Sequence, residues 1–301
     1  MKKIVSLLLA LSMLLCLFAL SSCDTTNNDT NKDPSESQTN NGSENEGTNE
    51  ITFTEQVAVD NDECLIKITK LDPDSFWGYT LKVQLENKSD DKTYMFSVES
   101  ASINGVQCDP FFASEVAAGK KANEEITFMA SELEEAGIKD FTDIELTFRV
   151  YDTNDWMADE VANETVNIYP YGKDKATKYV REQKASDKVI LDNDYVTVIV
   201  TGYEDDAIWG YTAKLFLLNK SDKNIMFSAE EVSVNGYMAD PYFATSVSAG
   251  KCAFSSMSWS DTIFEENGIT TVESIEFNLI AYDMDNLFDG NLAEKTVTLN
   301  P

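Results

Sequence analysis

Tyr195-Val196-Thr197-Val198-Ile199-Val200-Thr201, followed after a short acidic break by Trp209-Gly210-Tyr211-Thr212-Ala213-Lys214-Leu215-Phe216-Leu217-Leu218, decides the fold. The first run is β-branched and aromatic throughout, which suits a pleated strand better than a helix. Asn224 to Val234 supplies one further strand or two, ending at the turn pair Asn235-Gly236, and residues 251–259, 272–282 and 294–299 supply further short ones. The period is two throughout. Turn residues separate about seven strands in roughly 115 positions, the pattern of an antiparallel sandwich.

Upstream, the same strings have already occurred once. Asp60-Asn61-Asp62 returns as Asp192-Asn193-Asp194, Trp77-Gly78-Tyr79-Thr80 as Trp209-Gly210-Tyr211-Thr212, and Asn87-Lys88-Ser89-Asp90 as Asn219-Lys220-Ser221-Asp222, all 132 residues on. After a one-residue deletion the offset is 131, and Met95-Phe96-Ser97, Asn104-Gly105, Asp109-Pro110, Ala118-Gly119-Lys120 and Tyr151-Asp152 all find partners. Aligned in this way, the copies share 45 identities over 114 paired positions. Repetition at a fixed period means that one structural unit is used twice. Pro170 aligns with Pro301, so the modules are expected over 51–170 and 189–301, joined by a basic linker at 171–188. One helical turn is expected in each, because Ser131-Glu132-Leu133-Glu134 and Thr262-Ile263-Phe264-Glu265 read as capping boxes, with Gly137 and Gly268 at the C-terminal cap.

The N-terminus sets the compartment. Lys2 and Lys3 precede an apolar run from Ile4 to Leu20, which has the form of a secretory signal peptide. The closing Leu20-Ser21-Ser22-Cys23 resembles the lipobox of bacterial lipoproteins. That resemblance implies cleavage after residue 22 and lipidation of Cys23, anchoring the chain to the outer face of the cell membrane; two or more acyl chains anchor stably where one does not. Residues 24–50 hold no aliphatic or aromatic side chain, so they cannot bury apolar surface and are expected to form a disordered tether.

Taken together, the Asp-Asn-Asp, Trp-Gly-Tyr-Thr, Asn-Lys-Ser-Asp, Val-Asn-Gly, Asp-Pro-Tyr-Phe-Ala and Ala-Gly-Lys strings resemble uncharacterised surface lipoproteins of Gram-positive anaerobes. Those proteins carry tandem telokin-like, immunoglobulin-like β-sandwich modules. The resemblance implies an all-β fold of two tandem immunoglobulin-like antiparallel β-sandwiches, and an extracellular compartment. It implies no catalytic or binding residue.

Composition excludes several chemistries. The chain of 301 residues has 53 Asp and Glu against 23 Lys and Arg, a net charge of −30, which argues against nucleic acid as a partner. It has no histidine, which removes Ser-His-Asp and Cys-His catalysis and every imidazole zinc site. Paired carboxylates could still hydrolyse a glycoside, yet no pair stands out from the acidic background. No catalytic residue is assigned. The linker carries six bases and three acids between two acidic modules. Two readings of it stand: it docks against acidic faces of both modules, or it is a solvated spacer.

Once Cys16 and Cys23 are set aside, Cys64, Cys108 and Cys252 remain, and none has a cysteine at its repeat counterpart. Cys64 and Cys108 could pair, or all three could be separate thiols. Asp283, Asp285, Asn286 and Asp289 form an acidic loop, as do Asp152, Asn154, Asp155 and Asp159 in the first copy; carboxylates at alternate positions could ligate calcium, with Asp283, Asp285 and Asp289 the metal candidates. Trp77 with Tyr79 and Trp209 with Tyr211 place two rings on one strand face, with a glycine between them that gives close access, a candidate platform for an extracellular polysaccharide or protein ligand. The competing reading buries each tryptophan in its own core. Phe111-Phe112 and Tyr242-Phe243 are expected to plug one end of the sandwich. The sequence therefore points to a lipid-anchored, non-catalytic surface protein acting in binding or as a spacer, with an aromatic ligand site or a calcium-stiffened stalk as the alternatives.

Overall fold

In the segment Gly78–Asn87 the buried Leu81, Val83 and Leu85 alternate with half-buried Lys82, Gln84 and Glu86, so one face is apolar and the other wet. The same alternation runs through most of the computed structural model, which describes residues 50–129, 133–155 and 157–301. The described part of the first copy forms nine strands: β1 (Gln56–Asp60), β2 (Cys64–Asp72), β3 (Gly78–Asn87), β4 (Tyr94–Ile103), β5 (Val106–Cys108), β6 (Ala113–Val116), β7 (Lys121–Met129), β8 (Ile144–Asp152) and β9 (Ala162–Ile168). The second copy repeats them as β10 (Lys188–Asp192), β11 (Val196–Ala207), β12 (Gly210–Asn219), β13 (Ile225–Val234), β14 (Tyr237–Met238), β15 (Ala244–Val247), β16 (Cys252–Trp259), β17 (Ile275–Asp283) and β18 (Asn291–Leu299).

Each half has two layers. In the first, β1-β2-β3-β7 form one antiparallel sheet and β5-β4-β8-β9 the other, with β6 also pairing β4. Ile66, Leu81 and Phe128 from the one share an apolar cluster with Phe96, Phe148 and Ile168 from the other. In the second, β10-β11-β12-β16 face β14-β13-β17-β18, and Val198, Leu215 and Trp259 meet Phe227, Leu279 and Val297. Register repeats with the sequence: Tyr79 sits opposite Phe128 and Tyr211 opposite Trp259. Even the irregularities recur, between Ile68 and Lys70 in β2 and between Val200 and Gly202 in β11. An all-β, antiparallel architecture is what the alternation predicts.

The halves are fused. β5 and β16 run parallel and pair at Val106 and Cys252, joining a sheet of each half into one of nine strands. The Cys252 backbone N–H donates to the Gly105 carbonyl at 3.0 Å. Gln107 donates through Nε2 to the Ser246 carbonyl at 2.7 Å and accepts the Ser248 N–H through Oε1 at 2.8 Å. Lys251 and Glu145 form an ion pair at 2.9 Å.

The linker docks too, but not through the contacts its charge implies. The Tyr179 N–H donates to the Asn104 carbonyl at 2.8 Å and its ring packs on Phe254. Arg181 lies over the Phe216 ring, and its carboxylate partner is Asp187, from the linker itself. Shape and local pairing place this segment, and attraction to acidic faces of the halves is a minor part.

The helical turn of the second copy is α1 (Asp261–Asn267). Gly268 caps its C-terminus in the left-handed region, as expected, but the N-cap is Ser260 and not Thr262. The capping-box register is therefore two residues off. Ser260 makes no side-chain capping bond, which removes the signal on which the motif depends. In the first copy, Ser131 and Glu132 of the corresponding box lie outside the described residues. Cys64 and Cys252 are free thiols, so Cys64 does not pair with Cys108.

Candidate functional site

Trp209 does not sit in a strand. β11 and β12 pair up to Ala207 opposite Gly210, leaving Ile208 and Trp209 as a two-residue tip. Trp209 is 71% exposed and Trp77, in the turn before β3, is 72% exposed. Tyr79 and Tyr211, two residues on, are 8% and 7% exposed and belong to the cores. Sharing one face, as two residues of a single strand would, is thus the part of the platform expectation that fails: the alternation begins only after the glycine. Burial of each tryptophan in its own core fails as well.

The intervening glycine has a different task from the expected one. Gly210 has φ of 86°, and a Cβ there would lie 2.1 Å from the Trp259 carbonyl oxygen. The close approach it permits is that of its own neighbouring strand, not of a ligand.

Both tips carry a second large apolar residue at the matching place. Phe76 precedes Trp77 and Ile208 precedes Trp209, and both are almost wholly exposed. Phe111 and its counterpart Tyr242 are exposed too. Their neighbours Phe112 and Phe243 pack into or against the cores, so of each pair one ring plugs the sandwich and the other faces water. Trp209, Ile208 and Tyr242 line one open cavity of about 700 Å³ together with Ser256, Ser258 and Thr262, the Ser258 hydroxyl being taken up by Thr212. The backbone holds Tyr242 there, donating its N–H to the Ser258 carbonyl at 2.8 Å. Large apolar side chains beside small polar residues suit a ligand with both a flat apolar face and polar groups.

The polar residues that recur most faithfully are structural. Asn61 accepts the N–H groups of Glu63 and Cys64 through Oδ1, and Asn193 does the same for Tyr195 and Val196. Asn87 donates through Nδ2 to the carbonyls of Lys92 and Val116, and Asn219 to those of Lys223 and Val247. Asn104 and Asn235, both at φ of 52°, each clamp a distant loop by accepting two of its N–H groups and donating to one of its carbonyls. Asn-Lys-Ser in each copy is a turn, with Lys88 and Lys220 reaching back to Asp60 and Asp192.

The acidic loop is also self-contained. Asp283 is buried; Oδ1 accepts the Asp285 N–H at 3.0 Å, while Oδ2 accepts Lys223 Nζ at 2.8 Å and Asn286 Nδ2 at 3.2 Å. The Lys223 ammonium holds its carboxyl below the usual carboxylate range. Asp285 and Asp289 lie exposed on the same loop. In the first copy Asp152 accepts the Asn154 N–H at 2.9 Å, with Lys92 3.9 Å away. Among the described residues no three His, Cys, Asp or Glu side chains gather where they could hold a metal ion. Cys23 lies outside the described residues. Among those described, no helix is long and apolar enough to cross a membrane.

One feature beside the tips carries no sequence motif. Tyr211 is surrounded by Tyr203, Trp259 and Phe264, with ring centroids 6.0–6.3 Å away. The hydroxyls of Tyr211 and Tyr79 are both buried with no hydrogen-bond partner, and burial raises the pKa of each.

No family model matches this chain, and no curated protein matches it. Among solved structures, a protein of unknown function from Porphyromonas gingivalis W83 aligns with 83% of this chain and all of its own, at 12% identity and a TM-score of 0.20. The 7S globulin of Momordica charantia aligns over 68% of this chain and 76% of its own, at 8% identity and a TM-score of 0.12. Similarity this low carries neither fold nor function across.

Proposed function

We propose that this is a non-catalytic surface protein, lipid-anchored through Cys23 on the outer face of the cell membrane, that binds an extracellular ligand through the exposed tips carrying Trp77 and Trp209. The observation that carries this reading is the matched exposure of the two tryptophans, 72% and 71%, at equivalent turns of the repeat. Exposing an indole at the same place twice has no folding rationale, because burial of a large aromatic is favourable wherever the core can take it. Contiguous exposed apolar surface marks interaction sites. The absent histidine supports the non-catalytic part, and the Lys-Lys, apolar run and Ser-Ser-Cys order of residues 2–23 supports the anchor.

Within this reading the two layered halves are immunoglobulin-like sandwiches, and the ligand is an extracellular polysaccharide, with a protein surface as the alternative. The rings of Trp209 and Tyr242 beside Ser256 and Thr262 favour a sugar, whose C–H face stacks on a ring while its hydroxyls hydrogen-bond. Affinity electrophoresis of the purified chain through gels containing soluble cell-wall and dietary polysaccharides tests it. Retardation by at least one is expected. Free migration in all, with capture by none, would contradict the polysaccharide reading. For the anchor, Cys23→Ala is expected to release the protein from the membrane fraction, and full retention would contradict it.

A further inference from the structure

Where the two halves differ over their buried tyrosines, they differ in one direction. In the first half Phe141 covers Tyr79, ring on ring at 4.5 Å and 14°. Its counterpart in the second half is Val272, three-carbon where Phe141 is aromatic, and Val272 lines an open cavity of about 640 Å³ beside Tyr211. The second copy thus has a smaller side chain, beside an open cavity, at the position where the first has a ring.

The walls have changed to match. Leu71, Leu133 and Phe128 of the first half become Tyr203, Phe264 and Trp259 in the second, so that Tyr203, Tyr211 and Phe264 line the cavity with rings. Pro73 and Ala130 become Asp205 and Asp261, which join Glu265 at its edge. No Lys or Arg lines it, and among the described residues none of these three carboxylates has an ion-pair partner. Independently of the acids, the buried Tyr211 forms part of its wall, between the rings of Tyr203 and Phe264.

We infer that this cavity binds a primary alkylammonium group, held by ring faces on one side and carboxylates on the other. A cation over ring faces gains from their quadrupoles, more so as water is excluded. Carboxylates compensate its charge, and the acidic surface of the whole chain draws cations toward it. A sugar would leave the three charges unmatched, and an anion would be repelled. The ammonium could come from a free diamine or from a lysine side chain of a peptide. The cavity adjoins the Trp209 tip, since Asp261 lines both, but the inference does not depend on that tip binding anything.

The test is calorimetric titration of the purified full chain with 1,5-diaminopentane, with Nα-acetyl-lysine methylamide, and with 1-pentanol as the neutral control. At least one amine is expected to bind, more weakly in high salt, and pentanol is expected not to. Binding of the diamine alone assigns a free amine, binding of the lysine derivative alone assigns a peptide side chain, and both together mean that the cavity reads only the ammonium. Val272→Phe restores the ring that the first half carries at this place and is expected to lower affinity about tenfold, as filling a pocket does. Should that variant misfold, Asp205→Asn with Asp261→Asn is expected to weaken binding at an unchanged thermal midpoint. Trp209→Ala should leave amine binding intact. The inference is overturned if neither amine binds, if pentanol binds equally, if all cavity variants bind like the parent, or if Trp209→Ala alone abolishes binding.

Discussion

Arg181 grips Asp187 with both guanidinium nitrogens, at 2.5 and 2.8 Å, and the two side chains are 8% and 0% exposed. A buried, bidentate pair inside a segment that could have been a solvated spacer makes the linker a structural element. Arg181 also covers Phe216 of β12, so the pair ties the linker to the second half while Tyr179 ties it to Asn104 of the first.

Removing one partner leaves a buried charge uncompensated, so Asp187→Ala is expected to destabilise by about 3 kcal/mol. Chemical denaturation checks this, and rotational diffusion of the variant should report halves that tumble more freely. The pair also sets a pH dependence. Arg181 holds the Asp187 carboxyl down at about 2, below its unfolded value of 3.8, so the unfolded chain takes up the proton first. The stabilisation is complete above that unfolded value and is lost as pH falls through the folded one. Stability of the parent measured from pH 5 down to 2 should therefore fall more steeply than that of Asp187→Ala; parallel curves would contradict the pairing.

Gly210 and Gly236 both have positive φ, 86° and 81°, yet substitution should affect them unequally. At Gly236 an added Cβ meets nothing within 4 Å, so Gly236→Ala carries the backbone strain alone, on the order of 1 kcal/mol. At Gly210 the same atom meets the Trp259 carbonyl at 2.1 Å, and the β12–β16 pairing must part. Gly210→Ala is expected to cost several times as much, read as the difference in denaturation midpoints. Equal losses would show that the hairpin tip tolerates displacement from β16.

Calcium is expected to leave the thermal midpoint unchanged at millimolar concentration. Asp283 already has its two oxygens committed to Lys223, Asn286 and the Asp285 N–H, and an ion needing six to eight oxygens would have to displace an ammonium first. A rise in the midpoint that a chelator reverses would mean that Asp283, Asp285 and Asp289 rearrange around the ion.

The repeat and the strands are legible because each leaves a periodic mark: an offset of 132 or 131 and an alternation of two. The Asn-Lys-Ser turns leave a local mark instead, since Asn side chains bond to their own neighbouring backbone. What failed did so where the period is broken. Trp209 and Tyr211 are two apart and look like one strand face, but the strand starts at Gly210, and nothing in Trp-Gly-Tyr says on which side of the boundary the indole lies. The joint between the halves rests on the three-residue β5, where Val106 meets Cys252 of the other copy; so short a strand has no period to read. The cavity at Val272 was present in the alignment as a bare difference from Phe141. Only the stacking of Phe141 on Tyr79 gives that difference its meaning.

The central claim is that Trp77 and Trp209 serve binding and not folding. Trp77→Ala together with Trp209→Ala tests it, measured at once by polysaccharide retardation and by thermal midpoint. The account predicts lost retardation with the midpoint nearly unchanged, because residues more than two-thirds exposed contribute little to the cores. A midpoint lowered by many degrees, or retardation equal to the parent's, would contradict it.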